Sequence, residues 1–201
     1  MRRLASLLLL VVTESAWADR LIEVPVATKL MAGSVRLEGA YGLTDTAVRR
    51  TSLLYAVDDT LEIEARQLSS RGRDDTTLDL YATIISPFKG YAPGFAVGMK
   101  DAFNATSDGR RAWVAVTFRE PFQVGEYERG ADLTIGAFIG THGSPLLGFS
   151  LPFGPDLRLL VEHDGYRLSA GFNYAPVRNL EVRLFTQDRT ALGSLRYSYR
   201  F

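Results

Sequence analysis

The chain has 201 residues, no cysteine, and 23 basic residues balanced by 23 acidic ones. That balance argues against a nucleic-acid binder held by bulk charge, and the missing thiols exclude disulfides, thiolate metal sites and lipoprotein attachment. Eighteen glycines and 11% aromatic residues suit a β-rich chain, while a mean hydropathy of −0.01 separates nothing, because a transmembrane barrel is apolar on one face only.

Met1-Arg2-Arg3 is a short basic start, Leu4 to Val12 is an apolar run, and Ala16-Trp17-Ala18 has the small-x-small pattern of a cleavage site. Together they predict a secretory signal peptide over 1–18 and a mature domain over 19–201. The run is far shorter than the roughly 20 apolar residues that a spanning helix requires. No later stretch is long and apolar enough to span as a helix.

Asp19 to Gly33 reads as a lead-in, with Leu21-Ile22-Glu23-Val24-Pro25 as a short extended piece before a turn at Ala32-Gly33. Twelve segments with strand character follow, at 34–42, 49–57, 60–68, 76–86, 93–101, 110–119, 131–139, 145–153, 156–163, 165–175, 178–186 and 191–201. Their signal is alternation. Leu61, Ile63 and Ala65 oppose Glu62, Glu64 and Arg66. Leu180, Val182 and Leu184 oppose Glu181 and Arg183. Asp58-Asp59, Gly154-Pro155, Asp164-Gly165 and Pro176-Val177 read as tight turns. Ser69–Asp75, Ala102–Gly109 and Glu120–Gly130 read as longer links. Sustained helical periodicity is missing. The expected fold is all-β: one antiparallel up-and-down transmembrane barrel of twelve strands, with ten or fourteen as the alternatives if a segment is miscounted.

The last segment favours the membrane. Leu195, Tyr197, Tyr199 and Phe201 share one face of a strand, opposite Arg196, Ser198 and Arg200. This resembles the C-terminal signature of bacterial outer-membrane proteins, which implies recognition of Tyr197, Tyr199 and Phe201 by the barrel-assembly machinery. Alternation alone does not say which face points inward. In a membrane barrel the polar faces line the lumen, placing Arg36, Glu38, Glu62, Glu64, Arg66, Asp79, Lys100, Arg158, Glu162, Arg167, Glu181, Arg183, Arg196 and Arg200 there. Twelve strands also exceed the eight or so of small soluble ligand-binding barrels. An even count puts both termini in the periplasm, with Ser69–Asp75 and Ala102–Gly109 outside and Glu120–Gly130 facing the periplasm and a partner there. Phe88, Tyr91, Phe95, Trp113, Phe118, Phe122, Tyr127, Phe138, Phe149, Phe153 and Tyr166 fall near strand ends, as interfacial girdles do.

Several motifs carry a family likeness. Leu21 to Ala27 followed by Ala32-Gly33-Ser34-Val35-Arg36 resembles the start of the YjbH-like outer-membrane barrels associated with exopolysaccharide production. Ala96 to Phe103 resembles that family's strand ending in a Gly-x-x-Asp turn. Leu160 to Tyr166, then Ala170 to Tyr174, is similar to its Glu-x-Asp-Gly hairpin and the strand after it. Members of that family are typically much longer. The resemblance implies a non-enzymatic outer-membrane protein, a narrow pore or an assembly scaffold, whose partners are outer-membrane lipid and a polysaccharide or periplasmic envelope protein. Glu162 and Asp164 match the motif. Their expected roles are structural, with Asp164 in the turn and Glu162 paired to an arginine such as Arg158 or Arg183.

Two other functions are open. A lipid hydrolase could use His142 and Ser144, although both fall in a tight turn and no Gly-x-Ser-x-Gly elbow is present. A soluble periplasmic barrel could bind an apolar ligand if the apolar faces pointed inward. His142 and His163 are not spaced as a metal pair. Acid pairs such as Asp58-Asp59 and Asp74-Asp75 are ordinary solvated turn residues, so neither metal nor cofactor is expected.

Overall fold

A computed structural model describes residues 21–70, 72–107, 109–140 and 143–201, and the expected signal peptide lies outside these residues. Alternating sequence becomes twelve strands: β1 (Ser34–Gly42), β2 (Arg49–Ala56), β3 (Leu61–Ser70), β4 (Arg73–Ile85), β5 (Gly94–Lys100), β6 (Arg111–Val124), β7 (Tyr127–Ile139), β8 (Pro145–Pro152), β9 (Leu157–His163), β10 (Leu168–Val177), β11 (Leu180–Gln187) and β12 (Thr190–Arg200). Each strand pairs antiparallel with its sequence neighbours. β1 pairs with β12 from Ser34↔Arg200 to Gly42↔Leu192, which closes the barrel and leaves no sheet edge in the wall.

The faces divide sharply. Arg183, Glu162 and Arg196 point into the lumen at 1%, 2% and 3% exposure, whereas Leu37 and Leu184 point outward at 52% and 57%. The charged side chains are therefore inside, and the apolar stripes are outside.

Three of the expected links and turns change. Glu120–Gly130 is not a loop: β6 and β7 stay paired out to Val124↔Tyr127, around a turn at Gly125 with φ of 60°. Pairing of β5 with β6 ends at Gly94↔Thr117, and pairing of β7 with β8 ends at Asp132↔Ser150, so the β6–β7 hairpin overhangs the wall as a two-stranded ribbon. Ser69–Asp75 is likewise mostly strand, with β3 and β4 paired to Ser70↔Arg73. Pro176-Val177 belongs to β10. The register shifts between Tyr174 and Val177, around a proline that has no N–H to donate.

Candidate functional site

The lead-in does not form the extended piece expected over Leu21–Pro25, and it does not lie outside the wall. Residues 21–30 form no strand and run along the lumen as a strap. At the end where β1 begins and β12 finishes, Gly33 (φ 73°) turns the chain, and its N–H donates to the Ala56 carbonyl. Leu30 N–H donates to Glu62 Oε1 at 2.7 Å, near the start of β3. Ala27 N–H donates to Thr117 Oγ1 at 2.9 Å, partway along β6. Beyond it, Ile22, Glu23 and Val24 donate their N–H groups to the Glu162 carboxylate at 2.9, 2.8 and 3.1 Å. Glu162 is the next-to-last residue of β9, and the Glu23 partners Lys100 and Arg50 are the last residue of β5 and the second of β2. Those strand ends all lie opposite the C-terminal end, so the strap traverses the barrel. Leu21 lies deep in the lumen, and the residues before it lie outside the described ones.

The strap's composition explains this path. Buried backbone N–H groups need acceptors, and a single unpaired chain finds them in wall side chains. Leu21, Ile22, Val24, Val26 and Leu30 are buried in one cluster with Leu54, Trp113, Phe138, Leu146, Leu160 and Phe185. Between these large side chains, small wall residues leave the space that the strap occupies. A Cβ on Gly148 would stand 1.9 Å from Leu21 Cδ1, and one on Gly94 would stand 2.8 Å from the Ala27 Cβ. Glycine at these positions makes room for the strap.

Glu23 is the strap's one acidic group. It pairs with Arg50, with Arg66 at 2.7 Å and with Lys100 at 3.3 Å, and Lys100 also donates to the Glu23 carbonyl at 2.8 Å. From there a charge lattice spreads across the wall. Arg50 reaches Glu38 at 3.4 Å, and Arg66 reaches Glu64 at 3.3 Å and Asp79 at 3.6 Å. Arg196 bridges Glu38 at 2.8 Å and Glu181 at 3.2 Å, and Arg183 approaches Glu181 at 3.6 Å. Tyr81 donates its hydroxyl to Glu64 at 2.8 Å. A second cluster sits closer to the ribbon, where Arg119 grips Asp132 with two bonds of 2.7 and 2.8 Å and Arg158 stands 3.8 Å from Asp132. Beside Glu23 a cavity of about 30 Å³ remains, lined by Arg50, Arg66, Tyr81 and Arg196, with room for a water or two.

Of the lumen charges expected from sequence, Arg36, Glu38, Glu62, Glu64, Arg66, Asp79, Lys100, Arg158, Glu162, Glu181, Arg183 and Arg196 point inward. Arg200 is exposed at the end of β12, and Arg167 does not point inward either. It lies in the β9–β10 turn, exposed, and approaches Asp188 at 3.6 Å. Glu162, expected to meet an arginine, takes the strap's N–H groups. Asp164 does make its turn, accepting from Tyr166 N at 3.0 Å and Arg167 N at 2.7 Å. Trp113 and Phe138 leave the expected girdle and turn inward at 1% and 3% exposure, with the Arg111 guanidinium 4.4 Å over the Phe138 ring. Tyr197, Tyr199 and Phe201 point outward, the last two in edge-to-face contact at 5.1 Å. His142 lies outside the described residues. Ser144 is buried and donates to the Asp164 carbonyl at 3.3 Å. Among the described residues no three His, Asp or Glu side chains are grouped as a metal site.

Sequence reasoning missed the strap and Glu23. The available signal was an apolar stretch, Leu21–Leu30, carrying one acid, set against inward registers of Gly94, Ala96, Gly98, Ala115, Gly136 and Gly148 that leave space unfilled. Comparison with family models, curated proteins and solved structures finds no match to this chain. What is established is a single closed antiparallel barrel of twelve strands, and no family is assigned.

Proposed function

We propose that this chain is a non-enzymatic outer-membrane β-barrel whose lumen is closed by its own N-terminal strap, so that it works as a plugged scaffold and not as an open pore. The observation that carries this reading is the inverted polarity of the wall: ion pairs inside, and leucine, isoleucine, valine and aromatic side chains outside. Water-exposed apolar stripes of this extent are unfavourable, while a hydrocarbon solvent accepts them, and closure leaves no backbone group of the wall unpaired. Outward aromatic residues near the C-terminal end of the barrel, among them Tyr55, Phe88, Tyr91, Tyr174, Tyr197 and Tyr199, fit an interfacial belt. On this reading β12 presents Tyr197, Tyr199 and Phe201 to the barrel-assembly machinery. The β6–β7 ribbon, with Phe118, Phe122 and Tyr127 exposed, is the surface offered to a polysaccharide or periplasmic envelope protein. The link to exopolysaccharide is supported by the motif resemblance alone.

Fractionation combined with heat-modifiability tests the proposal. The expected result is recovery from detergent-extracted outer membrane, a gel-mobility shift on boiling, and no steady conductance in planar bilayers. Release by osmotic shock without a shift overturns it.

A further inference from the structure

The strap's carboxylate occupies a site that the wall builds. Arg50 from β2, Arg66 from β3 and Lys100 from β5 converge on Glu23 from three strands, and all three are buried or nearly so. Arg50 and Arg66 keep wall carboxylates of their own, Glu38 and Glu64, so the site persists without the strap. Lys100 has its ammonium on Glu23 from two directions, the side-chain Oε2 and the main-chain carbonyl. In the lattice around this point Glu23 joins Glu38, Glu64, Asp79 and Glu181 in facing Arg50, Arg66, Lys100, Arg183 and Arg196.

We propose that Arg50, Arg66 and Lys100 form a lumenal binding site for small oxyanions, with Glu23 as its tethered occupant. A soluble carboxylate or phosphate then competes with the strap for the site. Three observations support this. Guanidinium groups match the geometry of an oxyanion, and Lys100, whose ammonium bonds Glu23, loses that anion when the strap leaves, which favours recruiting another. The cavity of about 30 Å³ directly beside Glu23 gives the site spare volume. The strap's attachments run through side chains, to Glu162, Thr117 and Glu62, while the wall's pairing runs strand to strand around the full circle. Displacing the strap therefore breaks no wall pairing.

Glu23→Ala tests the site directly, because the fragment it removes beyond Cβ corresponds to acetate. The full-length variant is compared with the unmodified chain by thermal unfolding in acetate, phosphate and chloride at equal ionic strength, in detergent or buffer, whichever keeps it monodisperse. The readout thus does not depend on the membrane reading. The expected result is a lowered Tm that acetate or phosphate restores by several degrees and chloride does not, with restoration lost on adding Lys100→Met. Restoration by acetate alone assigns the site to carboxylates, and by phosphate as well to oxyanions generally. No restoration, equal restoration by chloride, or restoration that survives Lys100→Met overturns the proposal. If Glu23→Ala does not refold, the cysteine-free chain carrying Leu21→Cys gives the readout. Thiol labelling several-fold faster in phosphate than in chloride supports competition, and equal rates overturn it.

Discussion

The two sides of the lumen hold the strap in different ways. The arc formed by β11, β12 and β1 to β4 is charged: Arg36, Glu38, Arg50, Glu62, Glu64, Arg66, Asp79, Glu181, Arg183 and Arg196 all face inward. The arc from β5 to β8 has fewer charges and many small inward residues, Gly94, Ala96, Gly98, Ala115, Thr117, Thr134, Gly136, Gly148 and Ser150, set between Trp113, Phe138 and Leu146. The charged arc satisfies itself by pairing across neighbouring strands and, with Lys100 of β5, holds Glu23. The small arc gives up side-chain volume at its glycines and alanines, and the strap's apolar residues fill the space. A filled lumen thus needs only one strap when one wall is rich in charge and the other leaves gaps between a few large side chains.

The largest expected effect lies on the charged arc. Arg196→Met strands Glu38 and Glu181 without their shared guanidinium, and removing one partner of a buried ion pair typically costs roughly 3–5 kcal/mol. Urea titration of the folded barrel should show it, and a loss below about 1 kcal/mol, as for exposed pairs, would mean the lattice is hydrated.

Glu162→Ala comes next, because it leaves Ile22, Glu23 and Val24 N–H groups without their acceptor. At about 1–3 kcal/mol for each buried donor left unsatisfied, a total near 3 kcal/mol is expected after relaxation. Hydrogen exchange at those three amides should accelerate while β12 amides stay protected. Uniform acceleration would show that strap and wall unfold together.

The small arc should be less costly to disturb. A Cβ on Gly98 would meet the Leu80 carbonyl oxygen at 2.1 Å and Trp113 Cζ2 at 2.4 Å, and only the ring can move away. Gly98→Ala is expected to lose roughly 1–3 kcal/mol, with a shifted Trp113 fluorescence. An unchanged spectrum would show the ring had not been in contact.

The smallest effect lies outside both arcs, in the β5–β6 loop. Asp101 (φ 50°) accepts from Ala105 N, Thr106 N and Thr106 Oγ1, each at 2.8 Å. Burial pushes its carboxyl up, but these donors outweigh burial and hold it below the usual carboxylate range. The depressed value means the loop's carboxylate contribution is whole above about pH 4, the ordinary aspartate value, and is lost as pH falls through the lowered one. Asp101→Asn, which tolerates the positive φ, should cost about 1 kcal/mol. It should also flatten the acid dependence of proteolysis over residues 102–107 and leave the barrel intact.

Period-two alternation determined the strand count, the antiparallel meander and most strand boundaries, because in a strand each side chain's face follows from local sequence alone. Leu195, Tyr197 and Tyr199 opposite Arg196 and Ser198 could be read without any partner. The direction of those faces was not local, since a barrel closes equally well with either face inward. Only the tertiary structure placed Arg196 inside and Leu195 outside. It alone showed that Glu120–Gly130 continues as paired strand, because the register of β6 on β7 decides that. It also decided that Leu21–Leu30 belongs in the lumen: a ten-residue apolar segment with one acid is ambiguous by itself. Its place is specified by acceptors as distant in sequence as Glu62, Thr117 and Glu162, which barrel closure brings around it.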